Sequence, residues 1–129
     1  MGLFDRVSMG AIILRVRDVD AAVDWYRASF EIEPLRVGVD GQHRIATYAL
    51  GGLVVSLWQL PAERHDRPNT DVCPYPVFVT GDLDSAHDAL VSKGLNTTGI
   101  RESTLTRFFQ TEDLDGNRWE FSETYGESS

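Results

Sequence analysis

Two stretches of the chain repeat the same order of apolar and polar positions. Each begins with a short run rich in Ile, Val and Phe, at 11–16 and at 75–80, which predicts a buried β-strand. Each run is followed by an Asp suited to cap a helix, Asp18 and Asp82, and then by apolar residues at helical spacing. The pattern therefore predicts two units that both start with a strand and a helix.

Three further strands are predicted after each helix. Their bounds are 35–39, 43–50 and 53–60 in the first unit and 97–102, 106–111 and 118–123 in the second. The pairs Gly51-Gly52 and Asp115-Gly116 between these strands are typical of hairpin turns. Each unit is thus βαβββ, and a polar segment rich in Pro and charge separates the two units.

The two units are related by a constant offset of 64 residues. The segment 18–24 matches 82–88 at four positions, and at the same offset 50–52 matches 114–116 in the Leu and the second Gly. An offset that does not change over this distance predicts two modules of equal length. We expect a single domain, 1–129, divided into module one at about 9–60, a linker at 61–74 and module two at about 75–125.

The helix motif and the closing motif together resemble those of a known superfamily. Val-Arg-Asp-Val-Asp-Ala-Ala-Val-Asp-Trp-Tyr at 16–26 and Asp-Leu-Asp-Gly-Asn-Arg-Trp-Glu-Phe at 113–121 are similar to segments of the vicinal-oxygen-chelate superfamily. That superfamily includes glyoxalase I, extradiol dioxygenases, fosfomycin-modifying enzymes and bleomycin-resistance proteins. The resemblance implies an α+β fold, in which two tandem βαβββ modules form a concave, curved mixed sheet with the helices outside. A ferredoxin-like sandwich, the alternative fold, would require the order βαββαβ.

In the superfamily's metalloenzymes four positions in the cleft supply the metal ligands. The resemblance maps them to Ala11, Ser56, Tyr75 and Glu120, and the 64-residue offset within each pair supports this mapping independently. Ala11 has no donor atom, Ser56 offers a neutral hydroxyl, and Tyr75 would bind only as a phenolate. With Glu120 as the one ordinary ligand, we expect no metal and no cofactor, which argues against glyoxalase, dioxygenase and thiol-transferase activity.

The alternation of side chains along each strand predicts the rest of the cleft lining. The candidate ligand-binding residues are Arg15, Ser56, Trp58, Tyr75, Arg118 and Glu120. By resemblance to glutathione-using relatives Arg15 is a candidate anion contact, and an ion pair with Glu120 is the alternative. Trp58 either stacks on a planar or cationic ligand or packs at an interface. Whether His43 reaches the cleft stays open, because the sequence does not fix the register of its strand.

Two functional hypotheses follow from this cleft. The first is a small-molecule-binding protein of the glyoxalase/bleomycin-resistance type with a degenerate metal site, which sequesters an aromatic or cationic compound. The alternative is a lyase, isomerase or dioxygenase of the same superfamily that uses Glu120 with an atypical or absent metal. Whether the protein is an enzyme stays open, and no catalytic residue is assigned. The resemblance also implies a homodimer, with modules that pair either within one chain or across two.

Composition and charge narrow the expected partners. Lys plus Arg number 12 and Asp plus Glu 20, which gives a net charge of −8. Without a basic cluster we expect neither nucleic acid nor an anionic membrane as a partner.

The single cysteine, Cys73, excludes an internal disulfide. No apolar run approaches the roughly 20 residues of a membrane span, and the start does not resemble a secretory signal, so a cytoplasmic location is expected.

Overall fold

The computed structural model describes residues 2–64 and 73–124, which form two βαβββ modules. The elements of module one are β1 (Ile12–Val16), α1 (Val19–Ser29), β2 (Arg36–Asp40), β3 (His43–Leu50) and β4 (Leu53–Gln59). Those of module two are β5 (Val77–Val79), α2 (Leu83–Ser92), β6 (Arg101–Glu102), β7 (Thr106–Glu112) and β8 (Arg118–Thr124). The predicted α+β fold with tandem βαβββ modules is therefore confirmed. Part of the predicted linker, including His65, lies outside the described residues.

Each module forms its own four-stranded mixed sheet. The strand orders are β1-β4-β3-β2 and β5-β8-β7-β6, so β1 and β5 both lie at an edge. β1 runs parallel to β4 and β5 runs parallel to β8, and the remaining pairs are antiparallel. The register repeats as well, since Ile13 lies opposite Ser56 and Val77 lies opposite Glu120 with the same offset of 64.

Both helices begin at the predicted aspartates. The Asp18 carboxylate accepts hydrogen bonds from the backbone N–H groups of Asp20 and Ala21, and the Asp82 carboxylate accepts one from Ser85. These bonds satisfy N–H groups that have no partner inside the helix. The caps thus fix the residue at which each helix begins after the preceding strand.

The end of α1 depends on a residue from the other module. Glu31 follows the last turn with a φ of 58°, in the left-handed region that favours glycine. The Lys93 ammonium donates to the Ser29 carbonyl at 3.1 Å and to the Glu31 carboxylate at 2.7 Å. A cation from module two therefore binds the negative end of α1.

The two modules share aromatic packing on the helix-facing sides of their sheets. The ring centroids of Tyr26 and Trp119 are 5.5 Å apart, those of Phe30 and Trp119 are 5.1 Å apart, and those of Phe30 and Phe121 are 6.2 Å apart. Aromatic contacts at these distances stabilise a core beyond the area that they bury. This shared packing holds the modules together as one folded unit.

The turn between β7 and β8 adds polar contacts between the modules. The Asp113 carboxylate accepts a hydrogen bond from the Tyr26 hydroxyl on α1. The Asn117 side-chain amide donates to the Arg15 carbonyl at 2.9 Å, and the Asp115 carboxylate accepts from the Arg17 N–H at 2.9 Å. Because these turn residues are largely buried, their bonds connect β1 firmly to module two.

Two predicted strands are shorter than the sequence indicates. The predicted strand 97–102 is reduced to β6 and a single bridge between Thr97 and Thr111, because the register against β7 shifts by one residue between them. Between the two pairings, the Thr98 carbonyl accepts a hydrogen bond from His87 Nε2 at 2.9 Å. The predicted strand 75–80 is reduced to β5, because Pro74 and Pro76 cannot donate to a ladder.

Candidate ligand-binding cleft

The face of each sheet away from its helix, here called the open face, contains the predicted site residues. On β4 the buried Val55 and Leu57 face α1, so Ser56 and Trp58 lie on the open face. On β8 Trp119 faces the core, so Arg118 and Glu120 lie on the open face. The open faces therefore present polar and aromatic groups where the helix-facing sides are apolar.

Three of the predicted residues form one cluster on module two. The Gln110 side-chain amide donates to Glu120 Oε1 at 2.8 Å and to the Tyr75 hydroxyl at 3.3 Å. The Arg118 guanidinium lies 5.5 Å from the centroid of the Tyr75 ring. Among the described residues Glu120 Oε2 has no hydrogen-bond partner. The cluster thus holds the Glu120 carboxylate by one oxygen and leaves the other available as an acceptor.

Module one places two pairs of side chains on its open face. The centroids of the His43 and Trp58 rings are 5.4 Å apart, so His43 lies on the same face as Trp58. This contact answers the question of register that the sequence left open. The Ser56 and Thr47 hydroxyl oxygens are 3.4 Å apart. An aromatic pair and a hydroxyl pair therefore occupy this face.

Arg15 lies on the open face of β1 with an exposed side chain. Within the described residues it forms no ion pair with Glu120, so the predicted alternative role for Arg15 is not found in a single chain. Its backbone carbonyl is held by Asn117. The backbone of Arg15 is thus fixed, while its guanidinium projects toward solvent.

A single chain does not bring the two open faces together. Within 2–64 and 73–124, β1 pairs with β4 alone and β5 with β8 alone, so the outer edges of β1 and β5 have no strand beside them. The open-face side chains at these edges are exposed, with 50% for Ile13, 50% for Val77 and 72% for Val79. The module-one pairs and the Glu120 cluster therefore lie on separate surfaces of the described chain.

Gln110 is the main residue that the sequence analysis missed. It lies directly opposite Glu120 in the β7–β8 hairpin. The pairing is symmetric about Asp115, whereas a two-residue turn at Asp115-Gly116 would place 111 opposite 120. The predicted turn therefore did not identify Gln110, whose place opposite Glu120 follows from the longer connection 113–117.

A sequence model of the glyoxalase/bleomycin resistance protein/dioxygenase superfamily matches residues 8–121. The chain belongs to this superfamily. A comparison with curated protein sequences gives no significant match.

Among the described residues no group of three or more His, Cys, Asp and Glu side chains is placed to hold a metal ion. No described helix is long and apolar enough to cross a bilayer.

Solved structures of superfamily members have the same fold. A glyoxylase/bleomycin resistance protein/dioxygenase domain from Frankia sp. EAN1pec is 21% identical with a TM-score of 0.79, and 94% of each chain is covered. A mutant of the fosfomycin resistance protein FosX from Listeria monocytogenes, complexed with Mn(II) and 1S,2S-dihydroxypropylphosphonic acid, is 14% identical with a TM-score of 0.74. That match covers 93% of this chain and 94% of FosX. A glyoxalase family protein from Enterococcus faecalis is 18% identical with a TM-score of 0.72, over 94% of this chain and 100% of the other.

Proposed function

We propose that the protein is a metal-independent small-molecule-binding member of the superfamily, which takes up an aromatic or cationic compound in a cleft between two protomers. The donor chemistry at the four mapped ligand positions carries the proposal. Ala11 has no donor, the Ser56 hydroxyl pairs with Thr47, and the Tyr75 hydroxyl accepts from Gln110. Glu120 alone offers a carboxylate, and one such ligand does not fit a divalent ion that needs three or more.

The free strand edges support a cleft that is completed by a second copy of the chain. An edge strand exposes unpaired backbone groups, and β1 and β5 both carry exposed apolar side chains beside them. Pairing β1 of one protomer with β5 of its partner would place Arg15, Ser56 and Trp58 across from the Glu120 cluster. The dimer would therefore hold two equivalent clefts.

The side chains that would line such a cleft support the choice of ligand. Trp58 and His43 present ring faces for stacking on a planar compound. Glu120 Oε2 is an acceptor for an ammonium or amine group, since Oε1 is held by Gln110. Cation–π attraction at Trp58 would add to the binding of a cationic aromatic. Aromatic amines and aromatic quaternary ammonium compounds are thus the first ligands to test.

One observation favours the alternative, a lyase, isomerase or dioxygenase activity that uses Glu120. A carboxylate anchored by one oxygen and open at the other is suited to accept a proton from a bound substrate. The binding proposal predicts that ligands are recovered unchanged after prolonged incubation with the protein. Recovery of a converted product would favour the enzyme instead.

Thermal unfolding with a ligand panel tests the binding proposal. Protein treated with EDTA is mixed with cationic, neutral and anionic aromatic compounds, and the melting temperature is recorded. We expect cationic or neutral aromatics to raise the melting temperature without added metal. The proposal would be contradicted if no compound raised the melting temperature, or if compounds raised it only after addition of Mn²⁺ or Zn²⁺.

Matched variants locate the binding. Trp58→Phe and Glu120→Gln are expected to weaken ligand stabilisation about tenfold in apparent affinity, as expected for one lost ring or charge contact. Trp25→Phe removes an indole on the helix-facing side, and Glu63→Gln removes an exposed carboxylate outside the open faces. Both controls should bind as the unchanged protein does. Equal weakening in the controls would place the ligand elsewhere.

A further inference from the structure

The helix side of module two contains an apolar pocket of about 250 Å³. It lies between the end of α1, helix α2 and the helix-facing side of the second sheet. Its lining is entirely apolar and includes Phe30, Leu50, Phe78, Ala89, Trp119 and Phe121. Trp119 and Phe121 alternate along β8 with Arg118 and Glu120, so this apolar pocket and the proposed cleft are on opposite faces of one sheet.

Comparison of the two modules explains why this space is open. Trp25 on α1 packs its indole against Tyr26 and Phe30, with centroids 5.1 Å and 5.4 Å apart. The residue 64 positions later, at the equivalent place on α2, is Ala89. Tyr26 and Phe30 likewise correspond to Leu90 and Gly94, so α2 and its end have smaller side chains at three positions where α1 and its end have rings. Two of these residues, Ala89 and Leu90, line the apolar pocket.

Among the lining residues only Trp119 has a polar side-chain atom. Its indole Nε1–H already donates to the Tyr26 hydroxyl at 3.2 Å. A charged or strongly polar ligand would lose its hydration here without gaining a partner. Ordered water would lack the two to four polar partners that it needs. The chemistry of the walls therefore selects an uncharged apolar molecule.

We propose that this pocket is a second ligand site, distinct from the cleft, for a neutral apolar compound of the size of a substituted aromatic or bicyclic hydrocarbon. A cavity of about 150 Å³ lined by apolar side chains is sufficient for benzene, so the larger volume here admits a bigger ring system. The rings of Phe30, Phe78 and Phe121 offer edges and faces for contact with it.

Binding of pyrene, a hydrocarbon dye without an amine group whose emission bands report the polarity of its surroundings, tests this proposal. We expect a saturable change in its emission with the unchanged protein, and displacement of the dye by naphthalene. Ala89→Trp restores the ring that module one has and fills the pocket, so dye affinity should fall at least tenfold. Ala21→Trp, on an exposed position of α1, is the matched control and should leave the affinity unchanged.

Each other result would overturn the proposal. Absence of dye binding, or equal affinity in Ala89→Trp, would show that the pocket takes no such ligand. Weaker dye binding in Trp58→Phe would place the dye in the cleft. A change of oligomeric state in Ala89→Trp by light scattering would show that a second copy of the chain covers the pocket. If Ala89→Trp does not fold, Ala86→Leu serves as a smaller substitution that reduces the same volume.

Discussion

Two buried tyrosines in the core of module one differ in how their hydroxyl groups are bonded. The Tyr26 hydroxyl donates to Asp113 and accepts from the Trp119 indole, and burial together with the nearby Asp113 raises the pKa of Tyr26 well above its usual value. The Tyr48 hydroxyl is buried and has no hydrogen-bond partner among the residues that the structure describes, and burial raises the pKa of Tyr48 to about 12. The hydroxyl groups of Tyr26 and Tyr48 thus contribute differently to the stability of the fold.

Removing each hydroxyl in turn separates the two cases. Tyr26→Phe leaves a buried carboxylate oxygen and an indole N–H short of a partner, so we expect a loss of about 1–3 kcal/mol in the free energy of unfolding. Tyr48→Phe removes an unbonded polar group and should leave this free energy unchanged or raise it. Urea unfolding of both variants provides the measurement. A larger loss in Tyr48→Phe than in Tyr26→Phe would contradict the described bonding.

The Tyr26→Phe loss should also depend on pH. Burial raises the pKa of Asp113, so the folded protein takes up a proton there more readily than the unfolded chain does. The hydrogen bond from Tyr26 stabilises ionised Asp113 more than it stabilises protonated Asp113, because a hydrogen bond to a charged acceptor is stronger. The loss should therefore be larger at pH 7 than at pH 4, as measured by urea unfolding. An equal loss at both values would indicate that Asp113 does not change its protonation in this range.

At the scale of secondary structure, the ends of elements depend on contacts that local sequence does not show. Most ends of helices and strands could be predicted from the capping aspartates and the hairpin glycines, because these residues act on the backbone within a few positions. The sequence indicates the end of α1 only loosely, near 30–34, and Lys93 from the other module binds the end at Ser29. β6 was predicted too long because His87 on α2 takes the Thr98 carbonyl. Side chains that are distant in sequence thus determine where α1 and β6 end, which local sequence patterns do not predict.

Glu31 offers a direct test of how α1 ends. Its left-handed φ of 58° is unfavourable for a residue with a side chain, and its carboxylate binds Lys93. Glu31→Gln removes the charge and keeps the side chain, whereas Glu31→Gly also removes the conformational cost. We expect Glu31→Gly to melt roughly 2–4 °C above Glu31→Gln. A lower melting temperature for the glycine variant would mean that the backbone at 31 is not constrained as described.

At the scale of the whole molecule, the 64-residue repeat predicted the two modules, and the alternation of side chains predicted the faces of β4 and β8. The repeat could not predict how the modules pack, because Tyr26, Asp113 and Trp119 meet only after both modules have folded. It also could not predict that the Glu120 cluster and the Trp58–His43 pair lie on separate surfaces of one chain. The proposed cleft therefore requires a dimer in which the edges of β1 and β5 pair.

Changing an edge residue tests that requirement. Val79→Lys places a charge on the exposed open face of β5, where Val79 is 72% exposed, and should convert the proposed dimer to a folded monomer. Val91→Lys, on α2 and 50% exposed, is the matched control and should remain dimeric. Light scattering after size exclusion gives the mass of each variant, and circular dichroism confirms its fold. A monomeric unchanged protein, or a dimeric Val79→Lys, would contradict pairing through this edge.

The metal content of the purified protein tests the central claim most directly. Protein prepared without chelator is assayed by elemental analysis, and its melting temperature is recorded before and after EDTA treatment. With Glu120 as the one carboxylate among the four mapped positions, we predict no stoichiometric Zn, Ni, Fe or Mn and an unchanged melting temperature. One metal ion per protomer that EDTA removes, with a fall in melting temperature, would contradict the claim that the cleft binds its ligand without metal.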